Sequence, residues 1–174
     1  MDTNMKELVI IGRNENADIP GDGIKNVPVK VDTGADISSI WASELNIDDD
    51  HVLSFVLFAK GSEYHTGKRH RTRNYSVNLI RSSNGARQVR YRVFLTIEIA
   101  GRRVKGSFTL ADRSHNSFPV LIGCRLLKGK FLVDVSKGIY KTEKTMKFHE
   151  EFKKDPKAFF EKYHAANQRG DIEL

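Results

Sequence analysis

The sequence predicts an all-β fold that ends in a short helical appendage. Two observations lead there. Apolar residues alternate with polar ones through most of residues 75–110, and residues 142–168 change character to a stretch rich in Lys, Glu and Phe. Period-two alternation marks a strand with one buried face, because successive side chains leave a strand on opposite sides.

In chain order, Val27-Pro28-Val29-Lys30 is an apolar segment that leads into a turn. Lys68-Arg69-His70-Arg71-Thr72-Arg73 is too polar for a core strand and reads as a mobile loop. Tyr75, Val77 and Leu79 alternate. Val89, Tyr91, Val93, Leu95, Ile97 and Ile99 alternate in turn, with Arg90, Arg92, Thr96 and Glu98 among the residues on the opposite face. Asn84-Gly85 between the two runs is a strong hairpin signal, since both positions of such a turn accept positive φ. Residues 75–99 therefore form a long hairpin with its tip near Ser83-Asn84-Gly85. Ala100-Gly101 turns the chain into a further strand carrying Val104, Gly106, Phe108 and Leu110. Near the end, Phe148 and Phe152 share a helix face. Asp155-Pro156 offers a capping side chain followed by proline at the first helical position, with Phe159, Phe160 and Tyr163 available to face the body or a partner. The division expected is one domain over 1–140 and a helical extension over 141–174.

Composition narrows the class. Hydrophobic residues make up 39% of 174 and the mean hydropathy is −0.46, values of a soluble globular chain. No apolar run is long enough to span a bilayer, and Met1-Asp2-Thr3-Asn4-Met5 lacks a signal-peptide pattern. A single cysteine, Cys124, excludes an internal disulfide framework, which fits a reducing compartment. A cytoplasmic protein is expected. The net charge of +7 is uneven: residues 60–105 carry twelve Lys/Arg against two Glu, a local +10, while the remainder is slightly acidic. Such a face can steer an acidic partner, or be no more than a solvated surface.

The chemistry sits at residues 32–34. Asp32-Thr33-Gly34 follows the apolar segment, and a carboxylate, a hydroxyl and a glycine at a strand-to-turn junction are what an aspartic protease uses. Asp32 would handle the proton, the Thr33 hydroxyl would tie the loop to a partner loop, and Gly34 would let the backbone turn tightly. About ninety residues on, Phe118-Pro119-Val120-Leu121-Ile122-Gly123 leads into the short helical pattern Cys124-Arg125-Leu126-Leu127. The order and separation of these two motifs resemble one half of a retropepsin. Ile11-Gly12-Arg13, Ser82-Ser83-Asn84-Gly85, Leu110-Ala111-Asp112-Arg113-Ser114 and Phe131-Leu132-Val133-Asp134-Val135 extend the likeness over residues 6–140. They resemble the RimB-type retropepsin-like family, often labelled "ATP-dependent zinc protease" and linked to the ribosomal-protein glutamate ligase RimK.

That resemblance implies a closed β-barrel half with the hairpin as a flap. It implies catalytic roles for Asp32, Thr33 and Gly34, and substrate contacts from Ala35, Asp36 and the flap residues Ser82, Ser83, Asn84 and Gly85. It also implies that Asp36 pairs with an arginine directly after the Ile-Gly step. Here Cys124 takes that step and the arginine stands one place on, at Arg125, a departure that would disturb the pair. Cys124 itself reads as a small buried residue rather than a nucleophile.

Hydrolysis by this route needs two carboxylates around one water, sharing a proton and titrating as a unit. No other aspartate here precedes Thr-Gly or Ser-Gly, so the second Asp32 must come from a second copy across a two-fold axis. The expected partners are therefore a homodimer mate and a peptide or protein substrate, an acidic one if the basic region takes part. No metal or cofactor is called for. The string His149-Glu150-Glu151-Phe152-Lys153 lacks the second histidine of a zincin, the remaining histidines show no ligand spacing and read as surface residues, and there is no Gly-rich Lys-Ser/Thr loop for ATP. The alternative is a catalytically weak retropepsin-like module that binds a peptide or protein, motivated by Cys124. A nucleic-acid-binding β domain ranks last, because Tyr75 and Tyr91 also fit the strand alternation and leave no stacking platform.

Overall fold

A computed structural model describes residues 7–81, 87–139 and 143–169 of the chain. They fall into two compact units, Met1–Gly138 and Ile139–Leu174. The first is mostly β. Its strands are β1 (Val9–Ile11), β2 (Asn14–Ile19), β3 (Ile24–Val31), β4 (Ser38–Ile47), β5 (Leu53–Leu57), β6 (Arg69–Thr72), β7 (Ser76–Arg81), β8 (Arg87–Ile99), β9 (Arg102–Ala111), β10 (Val120–Ile122) and β11 (Phe131–Val133), with the single-turn helix α1 (Cys124–Leu127) before β11.

Six strands are joined edge to edge in the order β10-β3-β2-β8-β9-β4, and β4 pairs back onto β10. The expected closed barrel is thus a ring of six strands with open flanks: β5 and β6 continue the sheet outward from β4, and β7 leans on β8 alone. β1 and β11 form a separate parallel pair with Val9 opposite Phe131. Ring closure depends on β10. It runs parallel to β3, with Val120 opposite Val29 and Ile122 opposite Val31, and antiparallel to β4, with Val120 opposite Ile40.

Local sequence explains the junctions. Pro20 starts a 3-10 turn between β2 and β3, and Gly23 ends it at φ 68°. Ala100 and Gly101 both take positive φ, 48° and 74°, between the paired residues Ile99 and Arg102, which is the mirror-image turn a two-residue hairpin favours. The core lies inside the ring, with Val27, Val29, Ile40, Ile97, Ile99, Phe108, Val120 and Ile122 all at or near zero exposure. The alternation on β8 buries Val93, Ile97 and Ile99, yet Val89 is 62% exposed. The hairpin overruns the core, so its apolar face continues where none of the described residues covers it.

Two expectations change. Residues 69–72 are not a loop: β6 pairs antiparallel with the fully buried β5, Phe55 lying opposite His70. An edge strand tolerates such polarity because only alternate residues face inward. Arg69 and Arg71 point outward and pair with Glu44 and Asp48. Nor is His70 a surface residue. It stacks on Phe55 at 4.8 Å, and its Nε2 lies 2.7 Å from the almost wholly buried carboxylate of Asp22.

The second unit is a helical hairpin, α2 (Glu143–Lys154) and α3 (Pro156–Arg169). Asp155 caps α3 as expected, its Oδ1 accepting the amides of Lys157 and Ala158. Phe148, Phe159 and Tyr163 pack on one another, with ring centroids 4.5–5.1 Å apart, while Phe160 stays exposed. No described helix is long and apolar enough to cross a membrane.

Candidate active site

The Asp32 loop is built where β3 ends. The Asp32 amide donates to the carbonyl of Ile122 at 2.9 Å, and the Ala35 amide returns to the carbonyl of Asp32. The Asp32 carboxylate accepts the Gly34 amide through Oδ1 at 3.0 Å, an aspartate turn that fixes the side chain relative to its own loop. Asp32 is half-buried, whereas Thr33, Gly34 and Asp36 are exposed and Ala35 is half-buried. The loop therefore presents its catalytic-type residues at a surface.

The second motif clamps this loop from behind. The Cys124 amide donates to the carbonyl of Ala35 at 2.7 Å, and the Arg125 amide to that of Asp36 at 3.0 Å. The Gly123 amide donates to the buried Ser38 Oγ at 3.0 Å. The Ser39 hydroxyl donates to the Thr109 carbonyl and the Thr109 hydroxyl to the Ser38 carbonyl, tying β4 to β9. Gly123 is the glycine the geometry requires. A Cβ there would stand 2.7 Å from the Ile37 carbonyl carbon, 2.8 Å from the Ala35 oxygen and 2.9 Å from the Ile37 oxygen. Gly34 is less constrained than expected: its φ is not in the left-handed region, and its nearest neighbour to a Cβ would be Asp32 Oδ1 at 3.4 Å.

The one-residue displacement of the arginine does not break its pair. Arg125 reaches Asp36 with two bonds, Nε to Oδ1 at 3.0 Å and NH2 to Oδ2 at 2.7 Å. This fork keeps the guanidinium proton more firmly than usual. Arg125 is the second residue of α1, and its backbone amide also donates to the Asp36 carbonyl, which keeps the two residues side by side. Cys124 is half-buried rather than buried, and its Sγ lies 2.8 Å from the Thr33 carbonyl oxygen. Thr33, Asp36, Cys124 and Arg125 form one wall of a cavity of about 630 Å³, with Phe131–Val133 of β11 on another. Nearby, Ile10 and Leu132 of the β1–β11 pair are each more than half exposed.

Two arginines that sequence reasoning left without a role also belong here. Arg113, in the loop between β9 and β10, donates from Nε to the Phe118 carbonyl at 3.1 Å. Burial weakens its hold on its proton, the Arg90 charge weakens it further, and the Asp32 carboxylate acts in the opposite sense. Arg90, on β8, is likewise weakened by burial. The only signal in the sequence was Arg113's place in Leu110–Ser114. Ser38 gave none. The flap residues Ser82, Ser83, Asn84 and Gly85 lie outside the described residues, although β7 and β8 pair in register up to Arg81 opposite Arg87. Among the described residues, no group of three or more His, Cys, Asp or Glu could hold a metal ion.

A family model described as the retropepsin-like aspartic endopeptidase RimB matches residues 10–144. Two curated relatives, both named probable alpha-L-glutamate ligase, are 28% identical: one from Shewanella pealeana over 78% of this chain and one from Shewanella halifaxensis over 73%. The chain spans only about 30% of the length of either. Among solved structures, a Legionella pneumophila protein of unknown function, Lpg0085 (DUF785), superposes with a TM-score of 0.54 at 19% identity. The match covers 77% of this chain and 98% of that one. At that identity the likeness is one of fold.

Proposed function

Because the chain belongs to the RimB-like family of retropepsin-like aspartic endopeptidases, we propose that it hydrolyses peptide bonds as a homodimer, with one Asp32 from each copy flanking the attacking water. The observation that carries this reading is the clamped Asp32 loop: a half-buried carboxylate fixed by the Gly34 amide, on a backbone fixed by Ile122. One carboxylate takes the water's proton while the other, protonated, donates to the carbonyl oxygen of the scissile bond. Asp36 and Ala35 would hold substrate backbone, with Arg125 keeping the Asp36 carboxylate oriented. The flap hairpin, with Ser82, Ser83, Asn84 and Gly85 at its tip, would close over the substrate.

A second copy is required because each chain supplies one Asp-Thr-Gly. Thr33 and Gly34 are exposed beside it, and Ile10 and Leu132 offer apolar surface for a mate. The local charge of +10 over residues 60–105 and the glutamate-ligase name of the relatives both favour an acidic, Glu-rich substrate. The test is cleavage of a diverse peptide library by the wild type and Asp32→Asn, with sedimentation of both. Cleavage lost in a mutant that still folds and dimerises supports the reading. Equal cleavage by both, or a purely monomeric active enzyme, refutes it. The competing reading, a peptide-binding module, requires a dimer that retains peptide affinity without cleavage.

A further inference from the structure

One edge of β8 is bare in the middle. Along one side β9 pairs with it from Arg92 to Ile99. On the other side β7 reaches only as far as Arg92, opposite Ser76, and β2 takes over only at Glu98, opposite Asp18. Residues 93–97 therefore have no strand beside them on that edge among the described residues. They read Val93-Phe94-Leu95-Thr96-Ile97, with no proline or charge to discourage another strand. Phe94 is 52% exposed. The last strand of the sheet, β6, is defended by comparison, because it carries Arg69 and Arg71. The bare stretch also borders a cavity of about 170 Å³. β8 and β9 line it with residues 93–95 and Lys105, and β5, β6 and the following turn line it with Phe55, His70, Thr72 and Asn74. The β6 side is fixed in place. His70 stacks on Phe55 and bonds Asp22, and the Asn74 amide donates to Thr72 Oγ1 at 2.9 Å. No carboxylate lines the cavity. Arg71 also borders it but spends its charge on Asp48. Lys105 is exposed and forms no ion pair among the described residues.

We propose that this slot takes an extended acidic peptide as an added strand: its main chain pairs with residues 93–97, and one of its carboxylate side chains meets Lys105. The paired stretch is about 16 Å long. Main-chain pairing supplies affinity that does not depend on sequence, and the lining supplies the preference. The aliphatic stem of a Glu side chain suits Phe55, Val93 and Leu95, and its carboxylate suits an unpaired lysine in a setting without competing acids. The walls are already ordered, so little entropy is lost on binding. The occupant is a segment of the substrate away from the scissile bond. β6, β8 and Lys105 all belong to residues 60–105, the stretch with a local charge of +10. The slot shares no lining residue with the cavity beside the Asp32 loop, so it is a second place where the same chain is held. Substrate as the occupant rests on the protease reading above, whereas the slot itself does not.

The probe is an end-blocked, fluorescein-labelled Val-Glu-Val-Glu-Val peptide, titrated by anisotropy into the full chain carrying Asp32→Asn, with amide hydrogen exchange followed in parallel. Amides within residues 93–97 should gain protection when the peptide binds. N-methylation of one alternate set of peptide amides should abolish binding, while the other set is tolerated, as an added strand requires. Lys105→Glu should weaken binding about fivefold to tenfold and leave the affinity of the Val-Gln-Val-Gln-Val isostere unchanged. In the chain with Asp32 intact, Lys105→Glu should raise KM for an acidic peptide cut in an Asp32-dependent manner and leave kcat unchanged. No protection within 93–97, or equal affinity for both N-methylated sets, overturns the slot whatever the cleavage result. Slot binding with KM unmoved by Lys105→Glu overturns the substrate as its occupant. Slot binding without any Asp32-dependent cleavage overturns the protease reading, and with it that occupant, and leaves the slot standing.

Discussion

Gly123→Ala should damage the protein far more than one added methyl group suggests. The new Cβ would meet only backbone, at 2.7–2.9 Å from Ala35 and Ile37, so no side chain can rotate away. Reaching ordinary contact requires the 35–37 segment to move by roughly 0.5–0.7 Å. That segment is held by the Cys124 and Arg125 amides at 2.7 and 3.0 Å and, one residue on, by the Gly123 amide on Ser38. Overpacking alone costs about 1–3 kcal/mol. Stretching these bonds adds a fraction of the ~1 kcal/mol each contributes. A loss of about 2–5 kcal/mol follows, or a fall in Tm of roughly 4–20 °C at 2–4 °C per kcal/mol. Calorimetry or near-ultraviolet circular dichroism measures it. Gly106→Ala is the control: its Cβ would meet only the Leu126 side chain, 2.7 Å from Cδ1, which can change rotamer, so its loss should be smaller. A Gly123→Ala protein melting within about 2 °C of wild type would refute the claim that close backbone approach explains this glycine.

Further outcomes follow from the same geometry. Ser38→Ala leaves the buried Gly123 amide without its acceptor and should cost about 1–3 kcal/mol in a chemical denaturation series. Ala100→Gly removes a non-glycine residue from φ 48° and should stabilise by up to about 1 kcal/mol, read as a Tm higher by about 2–4 °C. Asp48 is held below its ordinary carboxylate value by the Val52 amide first and also by Arg71. Its contribution is therefore present above its unfolded value of 3.8 and is lost as pH falls through the lower folded value. The Tm gap between wild type and Asp48→Asn should accordingly narrow on acidification below about pH 4 and stay constant near neutrality.

Legibility varied with how local the cause was. The 75–99 hairpin, the Ala100-Gly101 turn and the Asp155 cap were readable because pattern and turn chemistry lie within a few residues. β5 escaped because Leu53–Leu57 is buried throughout and so shows no alternation. β6 escaped because its stability comes from His70 against Phe55 and Asp22 and from arginines paired with Glu44 and Asp48, partners 15 to 48 residues away. In the site, Asp32 and Gly123 were visible as motifs. The Asp36–Arg125 pair was expected to suffer because Cys124 stands where the arginine was expected, and the register of a sequence motif says nothing about the direction a following helical turn gives its side chains. Arg90 carried no local signal and Arg113 only its place in Leu110–Ser114, since their surroundings depend on the chain beyond their own segments.

The insertion of β10 between β3 and β4 also sets an order of events. Asp32 leaves the ribosome well before its anchors, because the carbonyl that fixes it belongs to Ile122, and the residues that close the loop behind it are Gly123 to Arg125. Until some ninety further residues have been synthesised, the Asp-Thr-Gly segment has neither its anchor nor its neighbouring strand. Such long-range closure is slow, because the entropy of the intervening chain is lost before the contacts form. A nascent chain would thus carry the Asp-Thr-Gly motif before the contacts that fix it. On the proposed protease reading, competence would arrive only with β10, one of the last strands of the β unit.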